Sequence, residues 1–154
     1  CIRDSAGAAL LERIFTFPTP VVIACNGHAV AMGSFLLMCA DYRIGTEGSF
    51  KIGMNEVAIG MTLPYFAVEL ARYRLATTRF DRATLLAELF TPDEAVETGF
   101  LDRIVSADSL MATARETAMA FTKLDMRAYA TSKARTRRDT VDSFRRMADA
   151  EFKS

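Results

Sequence analysis

"PVVIACNGHAVAMGSFLLMCADYR", Pro20 to Arg43, decides how the fold is read. From Ile14 to Ala40 there is no Asp, Glu, Lys or Arg. A bilayer-spanning helix needs roughly 20 apolar residues without breakers. This run holds Pro18, Pro20, Asn26-Gly27 and Gly33, so it breaks into shorter buried elements. "VVIAC", Val21 to Cys25, is a β-branched run typical of a strand buried on both faces. Asn26-Gly27 is a turn dipeptide. "FLLMCA" reads as a two-turn helix, with Ser34 as its cap and Gly33 allowing close backbone approach.

Working outward, Ala8 to Phe17 carries Leu10, Leu11, Ile14 and Phe15 at helical spacing and ends at the prolines. Tyr42 to Gly45 is a second strand, Thr46 to Ser49 a turn, and "FKIG", Phe50 to Gly53, a third extended piece. "MNEVAIGMTL" is irregular, with a bend at Gly60. Pro64 opens a helix to about Arg74 as its first residue, and Thr78 to Leu89 reads as another. Thr91, Pro92 and Glu94 form a strong helix start, and Gly99 closes that helix. Phe100 to Val105 is extended. Ser109 to Lys123 and Met126 to Phe152 are the last helices. The final one sets Val141, Phe144, Ala148 and Phe152 on one face and Arg138, Asp142, Arg145, Arg146 and Asp149 around the other. Strands and helices followed by helices alone make an α/β half-sheet with a helical tail.

The chain has 154 residues, 19 basic and 19 acidic, with 51% hydrophobic and 25% charged content. That is enough for one real core and far from disorder. The neutral balance gives no global pull toward nucleic acid or membrane. Cys1, Cys25 and Cys39 form no CxxC pair and read as reduced thiols of an intracellular, cytoplasmic protein.

Between Lys51 and Glu69 the only charged residue is Glu56. Apolar neighbours on both sides point to a desolvated carboxylate with a raised pKa, suited to proton transfer. A solvated loop glutamate, or one bonded to backbone amides, is the alternative reading. The Met32-Gly33-Ser34 corner is the second candidate, since a helix start there would offer free N–H groups to an anion or oxyanion. His28, the single histidine, packs or satisfies backbone in this reading, and one histidine does not suit the common zinc sites. There is no GxGxxG, P-loop or G-x-S-x-G elbow, so Ser34, His28 and Asp41 make a poor triad. "KARTRRD", Lys133 to Asp139, reads as a solvated helix face in preference to a nucleic-acid site.

Together these residues resemble the crotonase superfamily, the enoyl-CoA hydratases and isomerases. "PVVIACNGHAVAMGSFLLMCADYRIG" is similar to the family's strand, Asn-Gly turn, small-residue corner and buried helix. "FKIGMNEVAIGMTLP" resembles the segment with a catalytic glutamate, and "FTPDEAVETGFLDRIV" the helix-Gly-strand signature. The resemblance covers about the last two-thirds of a usual member, so an amino-terminal segment is expected upstream. It implies a crotonase-like ββα superhelix: residues 1–105 are the carboxy-terminal part of its core and 106–154 a helical trimerisation region.

The resemblance further implies a coenzyme A thioester substrate, no metal or redox cofactor, and a homotrimer or hexamer without nucleic-acid or membrane partners. The Met32 N–H would be one of two oxyanion-hole donors, at a position where the family usually has Gly. Glu56 falls on a catalytic glutamate position. Ala31, Gly33, Phe35 and Val57 would line the substrate pocket. Phe35 falls where hydratases carry their other glutamate, and "IGMNE" resembles the 3,2-trans-enoyl-CoA isomerases more than hydratases. The expected activity is therefore transfer of a 3-enoyl-CoA double bond to the 2-position by one glutamate. The alternatives are an enoyl-CoA hydratase and a non-catalytic acyl-CoA-binding relative.

Overall fold

A computed structural model describes residues 2–152, with side chains over 6–147. The chain runs α1 (Ile2–Phe15), β1 (Val22–Cys25), β2 (Ala29–Val30), α2 (Met32–Cys39), β3 (Tyr42–Thr46), β4 (Ile52–Gly53), α3 (Tyr65–Arg74), α4 (Phe80–Thr84), α5 (Pro92–Thr98), β5 (Arg103–Val105), α6 (Leu110–Phe121) and α7 (Met126–Phe152). Strands β1, β3 and β5 form one parallel sheet with β3 in the middle. Strands β2 and β4 form a second parallel pair. Parallel neighbours need crossovers, and helices supply them.

The β-branched run of β1 has both faces in use, as its sequence implies. Ile23 packs on the main core with Leu11, Phe15, Met38, Leu70 and Phe100. Val22 and Ala24 pack on a smaller cluster of Ile44, Leu110 and Ala114 beneath α6. Cys25 and Cys39 are buried and free, while Cys1 lies outside the described residues. Burial pushes both thiols up, Cys39 to about 12, so they pack as apolar groups.

Two buried ion-pair sets tie distant segments of the chain to β3. Arg43, 4% exposed, meets Asp102 bidentately, at 2.8 Å from Nε and 2.6 Å from Nη2. This locks β3 to the entry of β5. Asp41, just before β3, accepts from Lys133 Nζ at 2.7 Å and Arg137 Nη2 at 2.8 Å. Arg137 also donates to Phe15 O and lies 4.3 Å over the Phe15 ring. The reading of Lys133 to Asp139 as a solvated face is thus corrected: Lys133 and Arg137 are buried structural cations, and Arg138 faces solvent. Helix α7 buries Phe144 and half-buries Val141. Ala148, Asp149 and Phe152 lie outside the described side chains.

Other expectations need correction. Ser34 does not cap α2. It is the third residue of the helix, and its Oγ donates to Ala31 O at 2.7 Å. Gly33 is not demanded by crowding, because a Cβ there would sit 3.6 Å from Ala29 Cβ, an ordinary contact. Pro64 caps α3 from just outside it. The helix read over Thr78 to Leu89 is a 3-10 turn plus the short α4. Arg82 then pairs with Glu88, Ala87 takes φ 50°, and Phe90 pairs with Ile52 across an antiparallel bridge. Tertiary pairing there overrides helical spacing. The Thr91 start is a full capping box, with Pro92 first in α5 and Gly99 left-handed at its end. No helix among the described residues is long and apolar enough to cross a membrane.

Candidate active site

The second strand pair sets the site. Val30 of β2 registers with Gly53 of β4, and Ala31 N–H donates to Gly53 O at 3.0 Å. Because the pair is parallel, both chains leave it at the same end. One continues two residues to Met32 and the other three residues to Glu56. Two segments that looked separate in the sequence are thereby delivered to one edge.

Gly53 makes this junction possible. Its φ is +149°, and a Cβ would fall 2.9 Å from Glu88 O. Only glycine tolerates both the conformation and the approach.

Ala31 is the strained residue of the corner, with φ 53° and ψ −119°. That region disfavours any side chain, at a cost of about 1–3 kcal/mol. Its carbonyl accepts from Ser34 N at 2.9 Å, Phe35 N at 3.1 Å and Ser34 Oγ at 2.7 Å. The N–H groups of Met32 and Gly33 have no acceptor among the described residues. They are the orphan donors of a helix start, and can receive an anion or developing oxyanion. The Met32 side chain is 38% exposed.

Glu56 is 5% exposed, and its Oε2 has no hydrogen-bond partner among the described residues. Burial raises its pKa above the ordinary carboxylate value, and the N–H groups of Glu56 and Asn55 offset that only in part. The desolvated reading therefore prevails over the solvated loop. Its carbonyl anchors the following turn, accepting from Ile59 N at 3.1 Å and Met61 N at 2.8 Å.

That turn leads into an open, largely apolar cleft of ≈ 610 Å³, walled by Val57, Met61, Leu63, Val68, Phe80 and Leu85. Of the residues expected to line a pocket, Val57 borders this cleft and Ala31, Gly33 and Phe35 do not. Phe35 is 4% exposed and packs edge-on against Phe66 at 5.8 Å, inside the core. His28 accepts from Lys51 N at 3.0 Å through Nδ1 and stacks edge-on with Phe50, so its role is structural. No group of three metal-ligating side chains occurs among the described residues. The strain at Ala31 and the cleft wall from Phe80 and Leu85 were missed in the sequence. An alanine gives no sign of positive φ, and the wall is built by tertiary contact.

A family model described as enoyl-CoA hydratase/isomerase matches residues 2–153. The chain belongs to this family, within the crotonase superfamily, and has its mixed α/β fold. A solved enoyl-CoA hydratase/isomerase family protein from Pseudomonas syringae superposes with TM-score 0.94 at 41% identity, covering 96% of this chain and 64% of that one. Enoyl-CoA delta isomerase 1, mitochondrial, of Mus musculus is 27% identical over 143 residues, 92% of this chain and 50% of that protein. Crotonyl-CoA hydratase of Syntrophomonas wolfei is 31% identical over 106 residues, 68% of this chain and 40% of that protein. The chain spans about half the length of the curated relatives it matches.

Proposed function

We propose that this chain carries the proton-transfer half of an acyl-CoA site that shifts a 3-enoyl-CoA double bond to trans-2-enoyl-CoA. The observation that carries the reading is Glu56: a buried carboxylate with one unpartnered oxygen, at the strand end that also delivers the free Met32 N–H. Glu56 as carboxylate takes a proton from C2. The C–H electron pair moves into the C1–C2 bond, and charge collects on the thioester oxygen. The Met32 N–H stabilises that oxygen, a contribution of about 3–4 kcal/mol for one such donor. Protonated Glu56 then gives the proton to C4, and the double bond settles between C2 and C3. Atoms and charge balance with one base and no water.

The raised pKa suits both halves, making Glu56 a stronger base and keeping its proton available for return. The sequence at position 35 supports this chemistry over hydration, because Phe stands there where, by the resemblance, hydratases carry a second carboxylate. The apolar cleft beside Val57 suits the acyl chain. Hydration is the second reading, favoured by the similarity to a crotonyl-CoA hydratase. We also assign self-association to residues 106–154, where Met111 and Met119 are 54% and 69% exposed; a monomeric mass in solution would contradict this.

The test is a paired assay of the purified full-length protein on a 3-enoyl-CoA and a 2-enoyl-CoA. Isomerisation well above water addition is the expected result. Preferential hydration of the 2-enoyl ester overturns the isomerase assignment, and turnover of neither returns the chain to a binding role.

A further inference from the structure

The far end of α2 is as specifically built as its near end. Helix α2 has eight residues, and its last carbonyls are fully buried: Met38, Cys39 and Ala40 are all 0% exposed. Buried carbonyls need donors. Leu37 O accepts from Ala40 N at 3.2 Å, and Cys39 O accepts from Arg137 Nη1 at 3.5 Å. The other two are served by one side chain. Arg74, the last residue of α3, donates from Nε to Met38 O at 3.1 Å and from Nη2 to Ala40 O.

Of the neighbouring cations, Arg43 is paired with Asp102, while Lys133 and Arg137 share the single carboxylate of Asp41, which leaves that set with one excess positive charge. Arg74 has no carboxylate within ion-pair distance among the described residues. Burial, then Arg43 and Arg137, pulls its pKa down to about 10, which still leaves it charged at neutral pH. A cation with no ion-pair partner among the described residues thus sits directly on the negative pole of α2, whose positive pole is the Met32 N–H.

We propose that Arg74 is a positioning residue for the reaction: it clamps the carboxy-terminal carbonyls of α2 and sets a positive charge behind the helix that receives the thioester oxygen. This rests on the oxyanion reading of Met32 given above. The charge acts along a helix of roughly 12 Å. At an effective dielectric of about 20, one unit charge at that distance changes the rate of forming an oxyanion by about tenfold.

The test uses hexanoyl-CoA carrying carbon-13 at the thioester carbonyl, bound to the full-length protein and read by isotope-edited infrared difference spectroscopy. Arg74→Lys keeps the charge, and Arg74→Gln keeps a donor without it. Wild type and Arg74→Lys are expected to lower the carbonyl frequency similarly and Arg74→Gln to lower it less. With a 3-enoyl-CoA, kcat of Arg74→Gln is expected to fall about tenfold with KM unchanged. Equal carbonyl shifts in the two variants overturn the proposal, whatever their stability. A wild type that binds the ester without shifting its carbonyl overturns the oxyanion reading itself. If Arg74→Gln does not fold, Arg74→Lys carries the test, and loss of its shift overturns the proposal.

Discussion

Replacing Asp41 with Asn removes one charge from a site that faces two buried cations. Asp41 accepts from Val21 N at 2.8 Å, Lys133 Nζ at 2.7 Å and Arg137 Nη2 at 2.8 Å. The side chains of Lys133 and Arg137 are 5% and 6% exposed, so water cannot replace the lost carboxylate. Removing one partner of a buried pair costs about 3–5 kcal/mol, chiefly because the remaining charge is left uncompensated. Arg137 keeps Phe15 O and the Phe15 ring, which places the expected loss near the lower end, about 3 kcal/mol. Against a typical domain stability of about 5–15 kcal/mol that is a large share. Urea unfolding followed by circular dichroism measures it, through a lower midpoint at unchanged slope. Adding Lys133→Met to Asp41→Asn is expected to return part of the loss. A change under about 1 kcal/mol for Asp41→Asn would place the network in the surface-pair range and refute the reasoning.

Gly53→Ala is expected to destabilise the fold by about 1–3 kcal/mol, because it combines a disfavoured φ with an approach to Glu88 O; an unchanged melting temperature would contradict the strand-end geometry. Glu56 has a folded pKa above its unfolded value, so its contribution to stability is fully present below the unfolded pKa and is lost as pH rises through the folded one. Glu56→Gln should therefore melt higher than wild type at neutral pH, and the gain should shrink toward acid. A gain that grew on acidification would have the wrong sign. For the same reason the acid limb of kcat/KM should fall above the ordinary glutamate value of 4.5, where the base becomes protonated. A limb below that value would assign the base elsewhere.

Much of the fold was legible because its signals are local. The Thr91 capping box satisfies its own backbone donors, and the spacing from Met126 to Phe152 is helical throughout. Glu56 was legible for a related reason, since a lone carboxylate in an apolar stretch has few ways to stay solvated. What was hidden depends on distant partners. Lys133 and Arg137 look solvated until Asp41 arrives from 92 and 96 residues away. The segment after Thr84 leaves its helical period because Phe90 finds Ile52. Ala31 is the clearest case: its conformation opposes its own preference and is held by bonds to Gly53 and the first turn of α2. Phe35 was placed in a pocket by resemblance, and packing against Phe66 puts it in the core. What stays of that inference is the sequence fact that residue 35 carries no carboxylate.

Single-turnover isomerisation of a 3-enoyl-CoA by Glu56→Gln is the most direct measurement of the one-base mechanism. The amide keeps the shape of the side chain and removes its basicity. The rate is expected to fall by about 10²–10⁴-fold, with the dissociation constant of the ester unchanged. A variant that isomerises at the wild-type rate would contradict the assignment of Glu56 as the base.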